Sequence, residues 1–364
     1  MQEYTNPYLR LEEGRAVEGL IRWKSPSNIA IVKYWGKFGQ QLPRNPSISF
    51  TLQNAFTDTV LQYFPKASTS KGITLKFNFE GAPKPAFEKK IKDFLESLLP
   101  VFPFLQQLEL HIHSTNSFPH SAGIASSASS MSALALCLCS LEQTLFGTLT
   151  GEDAFLQKAS FVARLGSGSA CRSVFPLAAI WGASPSFPFA SDLYAQPIGH
   201  HLHPVFQTMH DDILIVSKKE KSVSSRAGHQ LMEGNPYADS RYRQAGSNIV
   251  ILSRALQQGD LETFGQIAES EALTLHALMM ASTPPFILLN PKTIEIITTI
   301  QQYRTDTGKQ VYFTLDAGPN VHLLYPDEIH EDVITFTRSE LLPLCEDGAR
   351  IEDQAGPGPM LIRE

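Results

Sequence analysis

The tract Phe118-Pro119-His120-Ser121-Ala122-Gly123-Ile124-Ala125-Ser126-Ser127-Ala128-Ser129-Ser130 constrains this chain most, because it is built of small residues and runs straight into an apolar segment, Met131 to Leu145. A helix that opens from such a loop presents unpaired backbone N–H groups and the positive end of its dipole, a ready site for an anion. Small side chains let a polyphosphate approach the backbone, and serine hydroxyls can donate to phosphate oxygens or reach a metal ion. The same residues also describe a buried helix whose serines cap its own first turn. The tract alone does not choose between the two.

The chain has 364 residues, enough for two domains, and its 43% hydrophobic and 18% charged content is that of an ordinary globular protein. A net charge of -6 offers no general attraction to nucleic acid or an anionic membrane, so a polyanionic substrate needs a local basic pocket. No run is apolar enough for a membrane span, and Met1 to Arg15 lacks the apolar core of a signal peptide. Cys137 and Cys139 lie two apart on an expected helix and point to different faces. Structural thiols in a reducing cytoplasm are therefore expected.

Strands are expected at Asn28 to Val32, Ile73 to Phe79, Leu108 to His113, the run ending at Trp181, Ile213 to Val216, and Val311 to Leu315. Helices are expected at Ala86 to Leu99, from Met131, at Leu261 to Met280, and after Asn290-Pro291. In the last of these, Asn is the N-cap, Ile294, Ile297 and Ile300 share a face, and Gly308 is the stop. Gly182 to Pro204, rich in Pro, Ser and Gly, is the candidate junction between domains 1–204 and 205–364. Interleaved strands and helices give an α+β or α/β class, and periodicity does not separate these two.

Several chemistries fail on spacing. Neither Gly36-Lys37-Phe38 nor Gly308-Lys309-Gln310 completes a Walker A loop, and Gly166 to Ser173 fits neither a serine-hydrolase elbow nor a dinucleotide fingerprint. His200, His201 and His203 sit in a proline-flanked loop and read as a solvated turn before a metal site. Lys33, Lys37, Arg172 and Arg226 could build a cationic pocket, although each alone also reads as a surface or ion-paired residue. Asp316 ends an apolar run before Gly318-Pro319, where on residue type alone a turn-forming aspartate is commoner than a catalytic one.

Taken in order, these segments resemble the mevalonate diphosphate decarboxylases of the GHMP kinase superfamily, over about Trp23 to Ile362. The motifs are Ser27-Asn28-Ile29-Ala30-Ile31-Val32-Lys33-Tyr34-Trp35-Gly36-Lys37, the Phe118 to Ser129 loop, Gly166 to Ser173, and Val223-Ser224-Ser225-Arg226. Ser282-Thr283-Pro284-Pro285-Phe286, Asp316 to Asn320 and Gly356-Pro357-Gly358-Pro359 follow. The chain departs from the family at His120, Ser121 and Ser130. Pro176 and Leu177 stand where the family usually has two glycines.

The resemblance implies a two-domain α+β GHMP fold with its site in the cleft between the halves. It implies ATP-dependent conversion of mevalonate 5-diphosphate to isopentenyl diphosphate, ADP, phosphate and carbon dioxide, with ATP and Mg²⁺ as cofactors. It implies Asp316 as the group that positions or deprotonates the hydroxyl, Lys33 beside it, and Arg172 on the substrate carboxylate. Substrate contacts are implied at Tyr34, Trp35, Lys37, Ser167, Gly168, Ser169, Ser225 and Arg226. ATP phosphates are implied at Ser121, Ala122, Gly123, Ala125, Ser126, Ser127 and Ala128, with Mg²⁺ held through those phosphates and the Ser127 hydroxyl. A cytoplasmic homodimer is also implied, with no nucleic-acid or membrane partner. A related enzyme of mevalonate or its monophosphate, and a catalytically silent binding protein on the same scaffold, are the alternatives.

Overall fold

The computed structural model describes residues 2–66, 72–119, 124–219 and 223–363. In chain order the first half contains β1 (Gly19–Val32), β2 (Lys37–Phe38), β3 (Leu42–Pro43), β4 (Ser47–Pro65), β5 (Thr74–Phe79) and β6 (Ala82–Pro83). There follow α1 (Pro85–Ser97), β7 (Leu108–Asn116), α2 (Ser126–Phe146), α3 (Glu152–Gly166), β8 (Ala178–Trp181) and β9 (Gln196–Pro197). The second half contains α4 (Pro204–Gln207), β10 (His210–Leu214), α5 (Ser225–Gln230), α6 (Ala238–Gln258), α7 (Leu261–Met280) and α8 (Pro291–Thr307). It closes with β11 (Tyr312–Leu315), β12 (Val321–Tyr325), α9 (His330–Phe336), β13 (Arg350–Ile351) and β14 (Met360–Leu361).

The larger sheet runs β14-β1-β4-β7-β5-β6, with β8 beside β4 and β9 beside β8; the smaller runs β11-β12-β10-β13. Among the described residues only the β5–β7 pair is parallel. Mostly antiparallel pairing resolves the class as α+β. The long β4 binds the assembly together: it pairs with β1 over most of its length, with β8 through Ser47 to Phe50 and with β7 through Thr57 to Pro65.

Helix α2 begins at Ser126, five residues before the Met131 expected from apolarity. Packing explains the shift, because its serines face the strands. Ser129 Oγ meets Thr57 Oγ1 at 2.7 Å, Ser132 Oγ meets Ser25 Oγ at 2.6 Å, and Ser140 Oγ accepts from Trp23 Nε1 at 2.9 Å. Small hydroxylated residues let the helix lie close to the sheet and satisfy polar groups there. Cys137 and Cys139 are both buried and free in this core.

Helix α8 carries the expected cap, Asn290 accepting from Thr293 N, and it stops at Gly308 in the left-handed region. Its buried face is Ile296, Ile297 and Ile300, whereas Ile294 is 46% exposed. Thr293 joins that buried face, so the expected stripe keeps Ile297 and Ile300 and loses Ile294. His203 caps α4 by accepting from Val205 N, which gives one of the three loop histidines a structural task.

The chain end returns to the first half. Asp353 accepts from the backbone N–H groups of Gln53, Asn54 and Ala55, and β14 pairs with β1. The span 205–364 is therefore not self-contained: its last strand belongs to the larger sheet. Leu177 sits beside this junction with φ of 58°, donating to Gly356 O and accepting from Thr51 N. A left-handed leucine costs roughly 1–2 kcal/mol, which accounts for glycine being usual there in the family resembled.

Candidate active site

Strand β1 delivers its polar end to the cleft. Ser27 Oγ donates to Ile124 O at 2.7 Å and so ties the strand to the foot of the small-residue loop. Asn28 Nδ2 donates to Ser173 Oγ at 2.7 Å and to Ser169 O at 3.1 Å, holding the short 3₁₀ segment Gly168–Val174 against the strand.

That segment presents Arg172, whose side chain is fully buried. Nε donates to Ser49 Oγ at 2.9 Å, Nη1 to Ser47 Oγ at 2.6 Å, and Nη2 to Asn28 Oδ1 at 3.3 Å. The guanidinium carbon lies 5.8 Å from the Trp181 ring centre. All of these partners are neutral, and no carboxylate among the described residues forms an ion pair with Arg172. A buried cation held in a fixed fork without a contacting anion is strongly disposed to take one from a ligand.

Lys33 follows the last residue of β1 and is 1% exposed. Its Nζ lies 3.4 Å from Asp316 Oδ1, at the end of β11 in the other half. Burial pushes the Lys33 ammonium below its ordinary range, and Asp316, then Glu271 and Asp211, pull it back. Asp316 keeps a quarter of its side chain accessible, so the pair faces the cleft from its carboxylate side.

Tyr34 is wedged between the Trp181 and His229 rings, with centres 4.7 and 4.3 Å away. Its hydroxyl is buried and unpartnered, and Gly168 packs so close that a Cβ there would sit 2.8 Å from it. Gly36, with φ of +97°, lets the chain turn beneath Tyr242 and donate to His229 Nδ1 at 3.0 Å. Trp35 follows Tyr34 and is turned into the apolar packing. Its side chain is 4% exposed in the apolar cluster of Met232, Leu275 and Met279, where it packs the two halves together.

Lys37 and Arg226 line a cavity of about 320 Å³ with Gln41, Ser97 and Leu165, and Lys37 Nζ donates to Gln41 Oε1 at 2.8 Å. Burial, then the neighbouring Arg226 charge, lowers the Lys37 ammonium below its ordinary range, a tension that an anion between them would relieve. Ser225 opens α5 directly before Arg226.

On the nucleotide side, Ala125 is left-handed at φ 47° and leads into the first turn of α2. Ser127 is exposed there with its Oγ 3.1 Å from Ser167 Oγ, while Ala128 is buried. Ser126 Oγ is buried with no partner. Hydroxyls so placed at a helix N-terminus suit phosphate and its counter-cation. Ser121, Ala122 and Gly123, with His120, lie outside the described residues.

The structure thus brings Lys33 to Asp316, Arg172 to Tyr34 through Trp181, Lys37 to Arg226, and Ser127 to Ser167. Sequence reasoning missed Asn28, Ser47 and Ser49 as the holders of Arg172. The Ser47-Ile48-Ser49 alternation was a usable signal, since strand period two places both hydroxyls on one face. It also missed Glu271, Arg241 and His276, whose helical sequences give no sign that these polar groups are buried.

Two family models match the chain: "Diphosphomevalonate decarboxylase-like N-terminal domain" over residues 25–192 and "Mevalonate 5-diphosphate decarboxylase C-terminal domain" over residues 212–355. A diphosphomevalonate decarboxylase of Candida albicans is 30% identical over 326 residues, covering 85% of this chain and 85% of the relative. A solved complex of MDDEF with MVAPP, AMPPCP and magnesium superposes with a TM-score of 0.78 at 28% identity, covering 96% of this chain and 100% of that one. The mevalonate diphosphate decarboxylase from Enterococcus faecalis, in a structure concerned with ATP binding mediated by mevalonate diphosphate, gives a TM-score of 0.78 at 26% identity and the same coverage.

Proposed function

Since the chain belongs to the mevalonate diphosphate decarboxylase family, we propose that it converts mevalonate 5-diphosphate and ATP to isopentenyl diphosphate, ADP, phosphate and carbon dioxide. The observation that carries this reading is Arg172: a buried, preoriented guanidinium without a carboxylate partner, on the same wall as the Lys33–Asp316 pair.

A tertiary hydroxyl leaves poorly, so it is first phosphorylated. Asp316 takes the hydroxyl proton as its oxygen attacks the γ-phosphorus of ATP, a general-base contribution of about 10²–10⁴-fold. Lys33 lies beside Asp316 and offsets charge on the transferred phosphoryl. Arg172 grips the substrate carboxylate through its fork. The carbon–oxygen bond to phosphate then breaks, and the carbon–carbon bond to the carboxylate supplies the electron pair of the new double bond as carbon dioxide departs.

Tyr34, Lys37, Ser167, Gly168, Ser169, Ser225 and Arg226 hold the diphosphate in this reading, with Lys37 and Arg226 supplying the charge. Ala125, Ser126, Ser127 and Ala128 line the ATP phosphates at the N-terminus of α2. Ser127 and those phosphates would hold magnesium, which would supply charge neutralisation there. The complex with MVAPP, AMPPCP and magnesium in a related protein supports both cofactors. A homodimer acting in the cytoplasm completes the reading; among the described residues no helix is long and apolar enough to cross a membrane.

The test is coupled ADP release with mevalonate, its 5-phosphate and its 5-diphosphate in parallel, with isopentenyl diphosphate measured directly. The diphosphate is expected to be strongly preferred and decarboxylated. Preference for either of the other two, or ADP release without the alkene, overturns the proposal.

A further inference from the structure

Lys33 leaves the ladder of β1 at a point where its main chain is buried, so its N–H and C=O need partners from elsewhere. Both come from the second half of the molecule. Glu271 on α7 accepts from Lys33 N at 2.8 Å, and Arg241 on α6 donates through Nη2 to Lys33 O at 2.9 Å. Arg241 and Glu271 are themselves a fully buried ion pair, with Nη1 2.7 Å from Oε1, and Asn248 Nδ2 donates to the same oxygen at 2.7 Å. Asn45 Nδ2 gives the Lys33 carbonyl a second donor at 3.0 Å.

The other member of the pair is held from the same helix. His276, also on α7 and 2% exposed, has its Nε2 3.0 Å from Asp316 O. A carbonyl only accepts, so the Nε2 carries the proton. Burial pushes the His276 imidazolium down to about 4, which keeps the ring neutral and adds no second cation beside Lys33. Gly318 N and His276 Nε2 thus share the Asp316 carbonyl, while Thr293 Oγ1 donates to Pro319 O at 2.7 Å to hold the turn from below.

Lys33 and Asp316 come from opposite halves and touch through one 3.4 Å contact. Their main chains are gripped by residues five apart on a single rigid helix, about 7.5 Å along its axis. We propose that α7 sets the separation of the Lys33–Asp316 pair, with Glu271 and His276 as positioning residues that register one half of the molecule against the other. This inference rests on Lys33 and Asp316 being the reacting pair.

The test compares H276L, which removes the donor, with H276Q, whose amide N–H can reach the same carbonyl, and with E271Q. Turnover, affinity for mevalonate 5-diphosphate by calorimetry, and thermal denaturation are measured for each. In H276L and E271Q, kcat is expected to fall about tenfold or more. Affinity should stay within about threefold of wild type, and H276Q should recover to within about threefold in kcat. Wild-type turnover in H276L, or an H276Q no better than H276L, overturns the proposal. So does a parallel loss of turnover and affinity with a lowered melting temperature, because that is a structural role only. If E271Q fails to fold because Arg241 is left unpaired, the two His276 variants decide. A wild-type protein that makes no isopentenyl diphosphate sinks the substrate assignment instead. In that event a crystal structure of H276L decides the registration: an unchanged 3.4 Å Lys33–Asp316 contact overturns it.

Discussion

The two ends of the cleft are built in opposite ways. At the reacting end, Lys33 and Arg172 are fully buried, and each of the three Arg172 guanidinium nitrogens donates to a neutral acceptor from β1 or β4, which uses three of its five N–H groups. At the end that grips the diphosphate, Lys37 is half-buried and Arg226 exposed, on a two-strand hairpin and a six-residue helix. A buried end is organised before the ligand arrives, so its geometry acts on the rate. An open end works in water through screened charge, so it acts on affinity and in a salt-dependent way.

The largest break in this comparison is expected from Asp316→Asn, which cannot accept the hydroxyl proton. Steady-state turnover should fall about 10³-fold or more while ATP still binds by calorimetry; near wild-type turnover removes Asp316 from its role. Arg172→Lys comes next. Lysine keeps the charge but loses the fork, and with charged hydrogen bonds worth about 1.5–3 kcal/mol each, kcat/KM should drop by roughly 10²-fold. An unaffected rate means the substrate carboxylate is held elsewhere.

Acid stability probes how tightly the reacting end is packed. His276 is held at about 4 in the folded protein against 6.5 ordinarily, so between those values the unfolded chain binds more protons and stability rises with pH. The contribution is complete above pH 6.5 and lost as pH falls through about 4, with an upper size of roughly 3 kcal/mol. Burial raises Asp212 to about 6, which pulls the other way over an overlapping range. Comparing wild type with H276Q therefore isolates the histidine: on going from pH 7.5 to 4.5 the urea midpoint of wild type should fall relative to that of H276Q, and the same change in both proteins contradicts the burial effect.

The smallest effect belongs to the open end. Lys37→Ala should raise KM by about five- to tenfold with kcat nearly unchanged, and added salt should shrink the gap from wild type. A large loss of kcat would show that this end also takes part in organising the reaction.

Much of the scaffold was legible before any coordinates. Helix α7 spans the residues that its periodicity outlines, and α8 begins and ends at its Asn-Pro and Gly signals, since capping and turn chemistry act within a few residues. The start of α2 was misplaced because its serines look like loop residues until strands β1 and β4 are there to receive them. Trp35 lies inside a motif that reads as substrate-binding, yet its ring is part of the packing between the halves. Charged residues on helices read as solvated, so the burial of Arg241 and Glu271 left no trace in the pattern.

By itself the sequence determined the α-helical signals, the small-residue tract at the nucleotide side, and the order of motifs that marks the family. Each of these depends on local backbone preference or on residue identity. The meeting of Lys33 with Asp316 across 283 positions of chain, the clamp of α7 on both, and the solitary burial of Arg172 were decided only by tertiary structure. Burial and charge pairing depend on what lies nearby in space, and no local preference along the chain encodes that.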